Sequence, residues 1–289
     1  MYPTYFRLEL CAAQTVAALN VTQRYARNQY AQVCGRRSIN HTELVSVRTE
    51  AQAGDWPWHV AIFVKNRHNV LKYHCGGNIV SKTAILTAGH CVVKNGNTTE
   101  ANRVAQEIIV HPAYNDDSST SDLAIIKVHS LEFTEYVQPV CIWGPVYNKP
   151  KYYGMEATVV GFGTTEHNEP SDVLRATNTI IQNDTTCINF SHKLYSGLLN
   201  EFTFCAGYGP SSTINPRNGD SGGGLVMSVI QPDHMISSLL RGVLSKCGVS
   251  PGQKECDPSY YVVYTDVAPH YGWIYHNSGL EFRNNIIVS

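Results

Sequence analysis

Four glycines, an acid and a serine fill six consecutive positions, Gly219-Asp220-Ser221-Gly222-Gly223-Gly224. Glycine so concentrated marks a tight turn, because only glycine takes positive φ freely and lets other backbone approach closely. The serine in that turn carries chemistry only with help. A hydroxyl is a poor nucleophile at neutral pH; it needs a base within hydrogen-bond reach, and the base needs an orienting acid. Two upstream runs offer both groups, His90 in Leu86-Thr87-Ala88-Gly89-His90-Cys91 and Asp122 in Ser121-Asp122-Leu123-Ala124-Ile125-Ile126. Taken singly, each has a plain structural reading: a packed histidine beside a cysteine, a turn acid entering a strand, a tight loop. Taken together and in this order, they point to acyl transfer with His90 as base, Asp122 as orienting acid and Ser221 as nucleophile.

Composition narrows the setting. The chain has 289 residues, room for one large domain. Charged residues make up 16%, and the net charge is -1, so no field favours nucleic acid or anionic lipid. Nine cysteines point to an oxidising compartment, and no Cys-x-x-Cys suggests zinc or redox chemistry. Sequons begin at Asn20, Asn40, Asn97, Asn183 and Asn189, mild support for secretion with glycosylation. No apolar run reaches the ~20 residues of a membrane span. Phe6-Arg7-Leu8-Glu9-Leu10 carries charges where a signal peptide needs its apolar core, so upstream sequence is expected to be missing.

Residues 1–44 read as a polar, unpatterned leader or pro-segment, possessing Arg36-Arg37 near its end. From Trp56 to Val64 the texture changes, and short β-rich runs follow between Gly, Pro, Asn and Asp clusters. They cover Asn78 to Val80, Ala84 to Thr87, Glu107 to Val110, Leu123 to Val128, Ala157 to Val160, Gly224 to Val229, Leu239 to Leu244 and Tyr260 to Val263. Many short strands at loop spacing predict an all-β sandwich or barrel. Only the tail, roughly Val267 to His276, reads as helical, with Pro269 in its first turn. The 12 histidines look scattered and suggest no common role.

From about Val45 to Asn277 the chain resembles the chymotrypsin-like serine endopeptidases. The resemblance is carried by Trp56-Pro57-Trp58, Cys75-Gly76-Gly77, Thr87-Ala88-Gly89-His90-Cys91, Asp122-Leu123-Ala124, Val160-Gly161-Phe162-Gly163, Gly219-Asp220-Ser221-Gly222-Gly223, and Tyr264-Thr265-Asp266-Val267 with Trp273-Ile274. Within the family it looks most like arthropod modular, clotting-cascade and gastrulation-defective-like proteases. It implies two antiparallel six-stranded β-barrels with a C-terminal helix, the triad at their junction, and a protease domain over 45–289. It also implies an oxyanion hole from the backbone N–H groups of Gly219 and Ser221. Cysteine pairs Cys75–Cys91, Cys187–Cys205 and Cys34–Cys141 follow from it, leaving Cys11 over. The family's usual partner two residues before the oxyanion glycine is here Arg217, so Cys247 is expected to pair with Cys256.

Specificity and activation follow from the same likeness. The pocket floor, an aspartate in trypsin-like members, is Asn215, and the walls fall on Cys247 and Val262. Ser245 should support the triad and pair with substrate backbone. Without a buried carboxylate there is no strong pull on Arg or Lys, so small or medium apolar residues are expected before the cut. Activation is expected between Leu44 and Val45, the new α-amino group pairing with Asp220; Arg37 is a rival site. Val47 and Arg48 stand where small flexible residues are usual, and Val is stiff. His90 and Asp122 lie 32 residues apart, against about 45 in the chymotrypsin arrangement. Strands of the first barrel and a calcium loop should therefore be missing. No cofactor or metal is expected. Expected partners are protein substrates, among them another zymogen in a proteolytic cascade, and a serpin-type inhibitor; nucleic acid is not expected. Two other functions stay open: a non-catalytic protease homologue that binds or decoys, and an α/β-hydrolase esterase. The second needs serine before histidine and βα alternation, neither of which occurs here.

Overall fold

Ala84-Ile85-Leu86-Thr87 is buried at every position, and so is Gly224 to Met227. Apolar β-prone runs with no polar alternation need cover on both faces, and each finds it in a sheet packed against its neighbour. The computed structural model describes residues 6–10, 34–39, 49–65, 70–94, 97–98, 105–145, 148–164, 169, 171–210, 215–216, 220–253 and 255–280. In chain order the strands begin with β1 (Phe6–Leu10), β2 (Thr49–Glu50), β3 (His59–Lys65), β4 (Leu71–Ser81), β5 (Ala84–Thr87), β6 (Val93–Lys94), β7 (Asn97–Thr98), β8 (Ala105–Val110), β9 (Ala124–Val128) and β10 (Cys141–Ile142). They continue with β11 (Glu156–Gly161), β12 (Arg175–Ile180), β13 (Thr203–Ala206), β14 (Gly224–Ile230), β15 (Ile236–Lys246) and β16 (Val262–Asp266). Helices α1 (Asp184–Phe190) and α2 (His192–Tyr195) lie between β12 and β13, and α3 (Tyr271–Ser278) follows β16.

The chain is all-β in character, as its sequence predicts. One sheet runs β1-β3-β4-β5-β9-β8, and a second runs β13-β16-β15-β14-β11-β12-β2 with β10 parallel to β15. A separate hairpin joins β6 to β7. One apolar core spans both sheets, with Trp58, Ile85, Leu86, Ile125, Trp143, Leu225 and Leu240 among its buried members. Four disulfides join Cys34 to Cys141, Cys75 to Cys91, Cys187 to Cys205 and Cys247 to Cys256.

Three expectations need correction. The leader is not wholly unpatterned, since Phe6–Leu10 forms β1. The C-terminal helix starts at Tyr271, so Pro269 lies in the turn before it; Gly279, at φ 68°, ends it in the left-handed conformation that glycine favours. Helix α1 escaped the sequence reading. Its start is set locally, by the Asn183 side chain accepting from the N–H of Thr185 and by Asp184 in the first turn.

A charged pair is buried within the second sheet. Arg241 on β15 and Asp266 on β16 are 1% and 0% exposed, and Arg241 Nη1 donates to Asp266 Oδ1. The guanidinium lies 4.9 Å from the ring centre of Tyr152, and 5.5 and 5.6 Å from those of Phe204 and Trp143. Asp266 Oδ1 also accepts from the N–H of Ala268, shaping the turn into α3. Asp266→Ala leaves Arg241 charged and unpaired in the core, and a loss of about 3–5 kcal/mol is expected in urea unfolding.

Candidate active site

Asp122 is fully buried two residues before β9 and accepts hydrogen bonds at both oxygens. Oδ1 takes the backbone N–H of His90 at 2.9 Å. Oδ2 takes His90 Nδ1 at 2.7 Å and the hydroxyl of Ser245, on β15, at 2.5 Å. Thr265 Oγ1, on β16, donates to the Asp122 carbonyl at 3.4 Å. Donors from both sheets thus converge on one carboxylate. Burial by itself would raise the Asp122 pKa. The charge of His90 and the hydrogen bonds from the His90 ring, Ser245 and the His90 backbone outweigh it and hold the carboxyl below its ordinary value. With Nδ1 donating to a carboxylate, the other ring nitrogen, Nε2, is left as the acceptor of the neutral imidazole.

Glycines let the turn reach between the sheets. Gly222 sits at φ 75°, and a Cβ there would lie 2.3 Å from Thr87 Oγ1 and 2.5 Å from the Gly76 carbonyl. The Ser221 carbonyl accepts from Gly76 N–H on β4 at 2.7 Å, and Gly222 N–H donates to the Leu244 carbonyl on β15 at 2.9 Å. Ser221 is therefore clamped by its own backbone between both sheets, half-buried, beside the Cys75–Cys91 disulfide. Its hydroxyl makes no hydrogen bond to His90 among the described residues; His90 Nε2 instead lies 3.8 Å from Cys91 Sγ. Cys75, His90 and Cys91 bring ligand-type atoms together, but both sulfurs are spent in the disulfide and offer no thiolate to a metal.

Asp220 points the other way, into the second sheet. It is buried, and Gly163 N–H donates to its Oδ1 at 2.8 Å. Side chains are excluded around it: a Cβ on Gly161 would lie 2.1 Å from Oδ1, and one on Gly163 2.5 Å from the carboxyl. Asn215 is buried, its Nδ2 donating to the carbonyls of Pro258 and Tyr260 at 2.8 and 3.0 Å. Its Oδ1 has no hydrogen-bond partner among the described residues. Val262 is buried at the start of β16, and Cys247 follows β15, half-buried. Gly219, Leu44, Val45, Asn20 and Asn40 lie outside the described residues, and for Asn97 only the backbone is described. Asn183 and Asn189 are exposed at α1.

Sequence reasoning missed a second histidine pair. His270 Nδ1 bonds the Asp266 carbonyl at 2.6 Å, so that nitrogen carries the proton. Burial, partly offset by Asp266, lowers the His270 pKa, and the neutral ring turns Nε2 to the Ser121 hydroxyl at 2.9 Å. Ser121, next to Asp122, sits at φ 50°, a left-handed angle costly for a non-glycine residue. His111 packs edge-on against His270, and burial followed by the neighbouring His270 pushes its pKa down to about 4. Two of the twelve histidines thus buttress the loop that delivers Asp122. Ser121 and His270 are 149 positions apart, too far for any local signal.

The low Asp122 pKa has a direction in pH. A depressed carboxylate stabilises the fold above its unfolded pKa, and that contribution is lost as pH falls through the folded value. Ser245→Ala removes one group that lowers it. Acid unfolding, followed by tryptophan fluorescence, is expected to begin at higher pH in the variant, while stability near pH 7 falls by about 1–3 kcal/mol.

Comparison with known proteins places the chain in one family. The family model described as Trypsin matches residues 45–274. The Tachypleus tridentatus clotting factor G beta subunit is 29% identical over 91% of this chain and 88% of its own length. The Bombus ignitus venom serine protease Bi-VSP is 33% identical over 67% of this chain and 59% of its own. Ovochymase of Halocynthia roretzi is 29% identical over 82% of this chain, which spans only 15% of that longer protein.

Proposed function

The chain belongs to the Trypsin family of serine proteases, and on that premise we propose that it is a secreted serine endopeptidase, made as a zymogen, with His90, Asp122 and Ser221 as its triad. The observation that carries this reading is the buried Asp122 carboxylate, bonded to both the ring and the backbone of His90 and to Ser245. In the reaction His90 Nε2 takes the Ser221 proton as Oγ attacks the scissile carbonyl, and returns it to the leaving amine. Water then repeats the sequence on the acyl-enzyme and frees the acid. Asp122 stays ionised and stabilises the imidazolium. Backbone N–H groups of Gly219 and Ser221 face the oxyanion, a contribution of about 3 kcal/mol per donor. No cofactor enters the chemistry.

Activation is a cut after Leu44. The new α-amino group of Val45, mostly protonated at neutral pH, pairs with Asp220, whose carboxyl packs where side chains on residues 161 and 163 would collide with it. Residues 1–44 remain attached through Cys34–Cys141. The clotting-factor and venom names of two relatives support an extracellular proteolytic cascade, with another zymogen as substrate and a serpin-type protein as inhibitor. Four disulfides, and two exposed sequons at Asn183 and Asn189, suit that compartment. Among the described residues no helix is long and apolar enough to cross a membrane.

A second reading rests on one distance. The 3.8 Å contact of His90 Nε2 with Cys91 Sγ, in place of a bond to Ser221, favours a homologue that keeps the fold and binds without cutting. Active-site labelling separates the two. After controlled proteolysis an organophosphonate should label Ser221, Ser221→Ala should abolish labelling, and Asp122→Asn should lower kcat by roughly 10⁴-fold. Absence of label on the cleaved native protein selects the non-catalytic reading.

Asn215 is neutral, and its amide is already committed to two carbonyls, so Arg and Lys find no carboxylate partner. Cys247 and Val262 narrow the walls. In a fluorogenic peptide panel, Ala, Val and Leu before the cut should exceed Arg and Lys by ~10-fold or more in kcat/KM, the scale of one pocket contact. A preference for Arg refutes the pocket assignment.

A further inference from the structure

The run that failed as a signal peptide, Phe6-Arg7-Leu8-Glu9-Leu10, has the strict alternation of a half-buried strand. It pairs antiparallel with β3 in a register that sets Phe6, Leu8 and Leu10 opposite Val64, Ile62 and Val60. Val60 and Ile62, across this register, are fully buried members of the core. Among the described residues no other strand pairs with this side of β3, whose opposite side is taken by β4. Among the described residues, the segment between His90 and Asp122 supplies the β6–β7 hairpin, which stands apart, and β8. β1 also lies against β8, the strand at the far end of the same sheet. The match to the family model begins at residue 45, well after β1.

We propose that the outer edge of β3 is a strand-accepting site whose resident ligand is Phe6–Leu10 of the same chain, so that the leader is a working part of the first sheet. An uncovered β3 would present a row of unsatisfied N–H and C=O groups. The leader is then held twice, covalently by Cys34–Cys141 and by the β1–β3 ladder, and severing the chain between residues 39 and 49 removes neither. Because β3 leads through β4 and β5 to His90, loosening this edge loosens the sheet that carries the imidazole.

Hydrogen exchange tests this without using activity. Adjacent strand residues direct their N–H groups to opposite sides, so Arg7→Pro/Leu8→Pro in the full chain must delete one donor facing β3. Amides of Val60 to Val64 should exchange at least ~10-fold faster than in the native chain, while those of β14 and β15 keep their rates. Unchanged β3 protection overturns the proposal. So does native β3 protection that rises with protein concentration, which would put a second copy on the edge. Should the proline variant not fold, Arg7→Cys/Phe63→Cys, across the observed register, reports directly. A disulfide-linked peptide pair under mild oxidation, absent in the slipped pair Arg7→Cys/Ala61→Cys, is expected; equal linking in both, or none in either, overturns the register.

Discussion

A carboxylate with no exposure holds the site together. Removing an ion from water costs several kcal/mol even after relaxation, and only well-placed donors offset it. Asp122 has donors from the short helical turn after β5 and from β15, and its carbonyl is met from β16. The two sheets therefore share one charge. If they slid apart, the carboxylate would lose Ser245 and retain its desolvation cost. The requirement that orients His90 is the same requirement that fixes the seam between the sheets.

The glycine turn meets the same seam with backbone alone. Ser221 and Gly222 exchange hydrogen bonds with β4 on one side and β15 on the other, and the space a Cβ would need is already filled. Such a contact leaves little freedom for Ser221, whose backbone is fixed before its hydroxyl meets any substrate. Asp122 holds the imidazole at Nδ1, so rotation of the Ser221 hydroxyl about Cα–Cβ is the movement that changes their separation.

What could be read from the sequence was what is written in short runs. His90, Asp122 and Ser221 each sit in a local pattern whose glycines, cysteine or apolar neighbours announce the setting. The runs at Ala84, Gly224 and Leu239 are apolar enough to be seen as strands. β12, Arg-Ala-Thr-Asn-Thr-Ile, was missed because its polar threonines and asparagine look like loop, although Thr177 and Thr179 are buried. The Cys34–Cys141 bond spans 107 residues and was legible only through likeness to a family. The Ser121–His270 and Arg241–Asp266 contacts were not legible at all, since each joins ordinary residues that only the fold makes neighbours.

Strand β1 shows a different limit. Its alternation is plain, but five residues carry too little pattern to outweigh a polar surrounding, and nothing local names their partner. The partner follows from a deficit elsewhere. His90 and Asp122 stand 32 positions apart; among the described residues that interval yields a detached hairpin and β8, and only β1 pairs with the outer side of β3. Loop closure over a long connection costs only about (3/2)RT ln n, so a strand recruited from far upstream is cheap to deliver. The Cys34–Cys141 bond shortens that search by anchoring the leader to β10, beside the second sheet. The first sheet therefore takes in a strand from outside residues 45–274, the stretch that family likeness marks.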